Sequence, residues 1–260
     1  MAAGASAAGP TDAAGAALLA AFLGRAGLPD ARTLDAGRRT ALHLAAREGE
    51  HQVVLALLGA ASFDGINAVD AEGDTALHAA ARAGHARVGL TILRSGRFSR
   101  AAALNSAGET APHLLVSTAS AERDVEGTLD ILMALPADAL DRPDAKGKTI
   151  LHIAAMRGHD KLAAAVLEMT MFSAIGAKDE HGWTALHIAA QKGHALVVQA
   201  LLRRASCCQE VESATQPREL LDVRAVNSQN RTALDLAEAS DQFGIATTIQ
   251  ACMAGFCTSF

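Results

Sequence analysis

One heptapeptide recurs along this chain. It reads TALHLAA from Thr40, TALHAAA from Thr75, TAPHLLV from Thr110, TILHIAA from Thr149, TALHIAA from Thr184 and TALDLAE from Thr232. By subtraction the starts are 35, 35, 39, 35 and 48 residues apart. A helix of barely two turns is marginal alone in water. Repeated at this period, each copy buries its apolar side against the next, which specifies a solenoid of stacked units rather than a globule with one central core.

The segment from Asp179 to His194, DEHGWTALHIAAQKGH, shows what each unit contains. Asp179 and Gly182 bracket a tight turn, because Asp bonds its own backbone and Gly accepts a positive φ without steric cost. Thr184 stands at a helix N-cap, Leu186, Ile188, Ala189 and Ala190 form the apolar side, and Gly193 ends the helix in a left-handed cap. A second apolar segment follows and closes on paired residues such as Leu57-Leu58, Ile92-Leu93 and Leu201-Leu202. The pattern D-x-x-G-x-T-A-L-H-x-A-A-x-x-G-H followed by that segment resembles the ankyrin repeat. The resemblance runs from about residue 13 to 254. It implies an all-α solenoid of helix-turn-helix units joined by β-turn fingers, with about six repeats and a partial N-terminal cap.

Composition agrees with close stacking of short helices. Half the residues are hydrophobic, largely Ala, and aromatics are 3%. A net charge of −5 offers no basic field for nucleic acid or anionic lipid. No run of 18 apolar residues is present to span a membrane.

In chain order, the Ala- and Gly-rich residues 1–12 are expected to be a disordered tail. Residues 13–24 are expected to form a helix ending in Phe22-Leu23, the second half of an N-terminal cap; the rival reading, a targeting peptide, lacks any charge before Arg25. The repeats lie near 35–67, 70–100, 105–140, 144–175, 179–204 and 227–254, with an insertion at 205–224 and a tail at 255–260. Arg38 and Asn230 occupy the turn position that Gly fills elsewhere, and Pro112 falls in a first helical turn, where its missing N–H is tolerated.

Several residues invite a chemical role. His43, His78, His113, His152 and His187 share one repeat position, so neighbours are about a helix diameter, ~10 Å, apart. That is too far to share a zinc ion, whose nitrogen ligands lie at about 2.0–2.1 Å. The resemblance instead implies imidazoles that tie each Thr-containing turn to its neighbour. His85, His159 and His194 follow the Gly between helices. Cys207, Cys208, Cys252 and Cys257 show no CxxC spacing and are expected to be reduced thiols, which suits a cytoplasmic or nuclear setting. The last four residues, Cys257 to Phe260, match C-a-a-X only in outline, since Thr and Ser are not aliphatic. A lipidated Cys257 would support an alternative reading, a membrane-tethered regulatory or targeting subunit. No G-x-S-x-G, P-loop or H-E-x-x-H motif occurs, so neither an enzyme nor a small-molecule or cofactor site is expected.

What remains is a surface. In the ankyrin family the turn tips and exposed first-helix positions line a concave groove. Transferred to this sequence, the tips are Arg39, Glu72, Asp74, Glu109, Lys146, Lys148, Glu180, His181, Trp183 and Arg231. The helix positions are Arg47, Arg82, Met156, Arg157, Gln191 and Lys192. Trp183, the only Trp, stands at a tip within a zone of basic and apolar residues. Trp and Arg dominate interface hot spots. One reading makes Trp183 an anchor for a partner; the other has it merely cover the neighbouring turn. The expectation is a monomeric, non-catalytic adaptor that takes an acidic or extended segment of another protein near Trp183.

Overall fold

The computed structural model of the chain describes residues 10–119, 125–209 and 221–254. Fourteen α-helices and a single 3₁₀ turn, Gly65–Asn67, are found among them, with no strand. Helix α1 (Pro10–Ala26) leads the array. The first two repeats supply α2 (Ala41–Glu48), α3 (His51–Gly59), α4 (Ala76–Ala83) and α5 (Ala86–Arg94). The third supplies α6 (Ala111–Thr118), α7 (Val125–Ala134) and a short α8 (Ala137–Asp141), which stands where the first repeat has its 3₁₀ turn Gly65–Asn67. Then follow α9 (Ile150–Arg157), α10 (Asp160–Glu168), α11 (Ala185–Lys192), α12 (Ala195–Gln209), α13 (Ala233–Ala239) and α14 (Phe243–Met253).

The helices form two layers. The inner one runs α2, α4, α6, α9, α11, α13, each packed on the next, and the outer one runs α1, α3, α5, α7, α10, α12, α14. Helix α1 packs on α3, as a cap built from the second half of a repeat must. Small side chains allow the inner layer to stack closely: Ala41, Ala45, Ala76, Ala81, Ala111, Ala154, Ala185 and Ala189 are all sealed from solvent. One buried cluster runs from Leu77 to Ile249 and a second covers the N-terminal end around Leu42 and Leu57. Contact passes only from neighbour to neighbour, which is how a repeat array is stabilised.

Each inner helix begins on its Thr. Thr40 Oγ1 accepts the His43 N–H, and the equivalent contact recurs at Thr75, Thr184 and Thr232. Such caps contribute about 1 kcal/mol each. Gly49, Gly84, Gly158 and Gly193 close α2, α4, α9 and α11 with φ between 71° and 81°. The histidine after the inter-helix Gly also has a packing role. A Cβ added at Gly49 would strike the His85 ring, and one at Gly158 would strike the His194 ring.

One expectation about the thiols is corrected. Cys252 on α14 is disulfide-bonded, not reduced, and its partner sulfur lies outside the described side chains. Cys257 and the rest of the C-terminal tail are outside the described residues, as are residues 1–9.

Candidate partner-binding face

The fingers are built by one side chain each. In finger five the Asp179 Oδ1 accepts the N–H groups of His181 and Trp183, both at 2.9 Å, while the Asp179 N–H donates to the Trp183 carbonyl. Asp35, Asp70, Asn105, Asp144 and Asn227 repeat these contacts in the other fingers. Satisfying two turn N–H groups with one oxygen fixes the tip without a sheet. Successive fingers are then joined by single backbone bonds: Ala71 N–H to Gly37 O, Ser106 to Glu72, Ala145 to Gly108, Glu180 to Lys146 and Ser228 to His181.

The five register histidines fasten finger to helix. His152 Nδ1 accepts the Thr149 N–H at 3.1 Å, which leaves Nε2 as the protonated nitrogen, and Nε2 donates to the Trp183 carbonyl at 3.0 Å. His43, His78, His113 and His187 make the same pair of contacts, to the carbonyls of Asp74, Glu109, Lys148 and Arg231. Only a neutral imidazole offers one acceptor and one donor in this way. Burial holds all five below the usual imidazole value, with the carbonyl contact pulling the other way. Repeat six has Asp235 instead. Its carboxylate accepts the Thr232 N–H and hydroxyl, both at 2.8 Å, and these bonds lower its pKa. Among the described residues, no three His, Cys, Asp or Glu side chains converge where a metal ion could sit.

The sequence-predicted site residues fall into two groups. Arg39, Arg47, Glu72, Asp74 and Arg82 line one cleft of about 350 Å³ between the first two repeats. Within it Arg39 pairs with Asp35 at 2.7 Å and Arg82 with Asp74 at 2.8 Å. Asp74 is not the open tip residue expected: it is buried, and it also accepts a bond from Asn105 Nδ2 at 2.8 Å. Its place is in the joint between fingers.

The second group lies on repeats four and five. Lys146, Arg157, Glu180, His181, Gln191 and Lys192 are exposed, and Lys148, Met156 and Trp183 are half-buried. Glu180 and His181 approach each other to 3.6 Å, and Arg157 reaches Ser117 Oγ at 3.3 Å. Met156 and Trp183 rest partly on the buried cluster. The Trp183 ring tilts against His187 with centroids 6.2 Å apart, and among the described residues its indole N–H donates to no protein acceptor. Trp183 is therefore neither sealed in the stack nor loose.

Sequence reasoning missed Asn227. It is buried, its Oδ1 is used by the N–H groups of Gln229 and Arg231, and its Nδ2 has no acceptor. The signal was present in the register: Asn227 occupies the position of Asn105, and Trp183 occupies the position of Asp74, the acceptor that Asn105 uses.

A family model described as Ankyrin repeats (3 copies) matches residues 12–100 and 98–212. Among solved structures, one described as EF0377, an ankyrin repeat protein, is similar with a TM-score of 0.66 and 21% identity, covering 84% of this chain and 98% of that one. The ankyrin repeat domain of Bcl-3, a member of the IkappaB family, is similar with a TM-score of 0.64 and 22% identity, covering 94% of this chain and 100% of that one. A third similar chain comes from a Bdellovibrio bacteriovorus structure of the predatory endopeptidase Bd0816 in complex with immunity protein Bd3460. It has a TM-score of 0.61 and 22% identity, covering 84% of this chain and 98% of that one. No curated protein sequence matches.

Proposed function

Because the chain belongs to the ankyrin-repeat family, we propose that it is a non-catalytic interaction module, an adaptor or scaffold that takes a segment of another protein on its finger and inner-helix face. The observation that carries this reading is Trp183. A large aromatic ring is held at a finger tip by the Asp179 turn, half-buried against the core cluster and beside His187, with its indole N–H donating to no acceptor among the described residues. A rigid aromatic with few rotamers to lose is the kind of side chain that anchors interfaces. The family supports the same reading, since ankyrin repeats are generally protein–protein interaction modules. One similar chain belongs to an endopeptidase–immunity protein complex, itself a protein–protein assembly.

Affinity purification with mass spectrometry tests it. Changing Trp183 and Lys192 together to Ala should strip partners from the captured set while leaving the helical circular dichroism signal intact. Retention of the same partners would place the binding face elsewhere.

A further inference from the structure

Ion pairing divides the finger face into two unlike halves. At the N-terminal end two of the cations are answered within the protein, Arg39 by Asp35 and Arg82 by Asp74, while Arg47 stands without an ion pair among the described residues. From finger four onward the cations are not. Among the described residues Lys146, Lys148, Arg157, Lys192 and Arg231 have no carboxylate within ion-pair distance, although Arg231 is near enough to Asp235 to help lower its pKa. The finger carboxylates nearest in sequence, Asp144 and Asp179, make the same Oδ1 turn bonds as Asp35, but neither has the ion pair that Asp35 makes through Oδ2 with Arg39. Glu180 is the exposed acid among these tips and stands beside His181. In a chain whose net charge is −5, a band of unanswered cations runs against the overall balance. Trp183 lies in the middle of that band.

We propose that repeats four to six dock an extended acidic segment of a partner protein, with its carboxylates on Lys148, Lys192 and Arg231 and an apolar side chain on Trp183. This rests on the interaction-module reading above and adds the chemistry of the occupant. Charge complementarity decides the sign, because a carboxylate brought among neighbouring cations relieves their mutual repulsion and steers encounter. Spacing decides the form. Fingers one repeat apart are separated by about a helix diameter, ~10 Å, and an extended strand rises about 3.3 Å per residue. Residues about three positions apart therefore meet successive fingers, so carboxylates about six positions apart face Lys148 and Arg231 with the apolar residue midway on Trp183.

The test uses the full chain and Trp183 as its own fluorescent reporter, since the protein has one Trp and no Tyr. Three synthetic peptides carry Glu, Gln or Lys at two positions about six residues apart with a Leu midway and are otherwise identical, and a thymidine oligonucleotide provides a polyanion of another class. The Glu peptide should shift Trp183 emission saturably, and the effect should fade as salt rises from about 10 mM to about 1 M, where screening shortens from roughly 30 to 3 Å. The double variant Lys148→Glu, Lys192→Glu should bind it about tenfold or more weakly, as loss of hot-spot contacts implies. Arg94→Glu, exposed on the outer helix α5 and away from the finger face, should not. The milder Lys148→Gln, Lys192→Gln pair, with circular dichroism, separates lost binding from lost folding. A response to the Lys or Gln peptide instead of the Glu peptide would overturn the acidic chemistry while leaving the interaction face standing. Preference for the oligonucleotide, or silence of Trp183 towards every probe while partner capture persists, would overturn the proposal as well. Loss of Trp183-dependent partner capture altogether would remove the reading beneath it.

Discussion

Asn105 Nδ2 donates to Asp74 Oδ1 at 2.8 Å, joining the third finger to the second. The same position in finger six is Asn227, whose Oδ1 is fixed in the same way but whose Nδ2 finds no acceptor. The residue at the Asp74 position in the preceding finger is Trp183. A buried amide N–H left without a partner costs about 1–3 kcal/mol, which an Asp at 183 would avoid. Trp183→Asp should therefore be more stable than Trp183→Ala by about 1–2 kcal/mol in urea unfolding, while both lose the partner. Equal stability of the two variants would show that residue 183 does not govern the Asn227 amide. The pairing of better folding with lost binding is what a residue kept for recognition predicts.

The register histidines make stability depend on pH. His43, His78, His113, His152 and His187 all have folded-state pKa values below the usual 6.5. The native protein thus binds fewer protons than the unfolded chain once the pH drops under that value. The contribution is fully present above about pH 6.5 and is lost as the pH falls below it, each histidine adding at most ~1.4 kcal/mol per pH unit. The melting temperature should be flat from pH 8 to 7 and decline progressively towards pH 5. A flat profile through that range would mean that the imidazoles are not held neutral by the Thr N–H and the finger carbonyl.

The repeat register was legible in the sequence because most units state the same local chemistry: Asp or Asn for the turn, Thr for the cap, His for the cross-link and Gly for the stop. Repeats four and five could be read residue by residue for this reason. What could not be read depended on the next repeat rather than on the unit itself. Asp74 looks like any tip residue until Asn105 is placed across from it, and Asn227 looks like an ordinary turn residue until Trp183 is placed there. Helix α8 stands in register with the 3₁₀ turn Gly65–Asn67, but the recurring heptapeptide does not extend to that connector, so its helical turn was not legible. The Cys252 disulfide was invisible because spacing along the chain says little about which thiols meet in space.

Two turn positions should respond in opposite directions to exchange with Gly. Arg38 holds φ 59°, where Gly73, Gly108, Gly147 and Gly182 stand in the equivalent fingers. The left-handed region costs a non-Gly residue roughly 1–2 kcal/mol, against about 0.4–1 kcal/mol of extra unfolded-state freedom for Gly. Arg38→Gly should raise stability by about 0.5–1 kcal/mol on that balance. Gly108→Ala should lower it, because the new methyl would meet Ala145 in finger four as well as carry the strained φ. Chemical denaturation of both variants checks the sign, and stabilisation by Gly108→Ala would contradict the finger packing.

Leu186 on α11 is about as buried as a side chain can be, with 1% of its surface exposed. Truncation to Ala leaves a cavity between inner helices that cannot collapse without moving the stack. Leu186→Ala should cost roughly 2–5 kcal/mol, and an unchanged melting curve would remove the register on which the inner layer is built.

Cys252 links the C-terminal repeat covalently to another part of the chain. The remaining cysteines are Cys207, Cys208 and Cys257. Helix α12 is 15 residues long where its counterparts α3, α5 and α10 have 9, and the extension carries Cys207 and Cys208 on the helix that packs against α14. Alkylation of the unfolded protein without reductant should therefore label two of the four thiols, and peptide mapping should place Cys252 in the protected pair. Reduction should lower the stability of the intact chain by about 2–4 kcal/mol, the usual contribution of a bond that restricts the unfolded state. The loss should concentrate in α13 and α14, read as faster amide exchange there than in α4. Labelling of all four thiols in protein purified under oxidising conditions would show that the bond does not form. The result also bears on compartment, because glutathione and thioredoxin keep most cytosolic thiols reduced. A bond that persists in protein taken directly from cells would argue against a cytoplasmic setting.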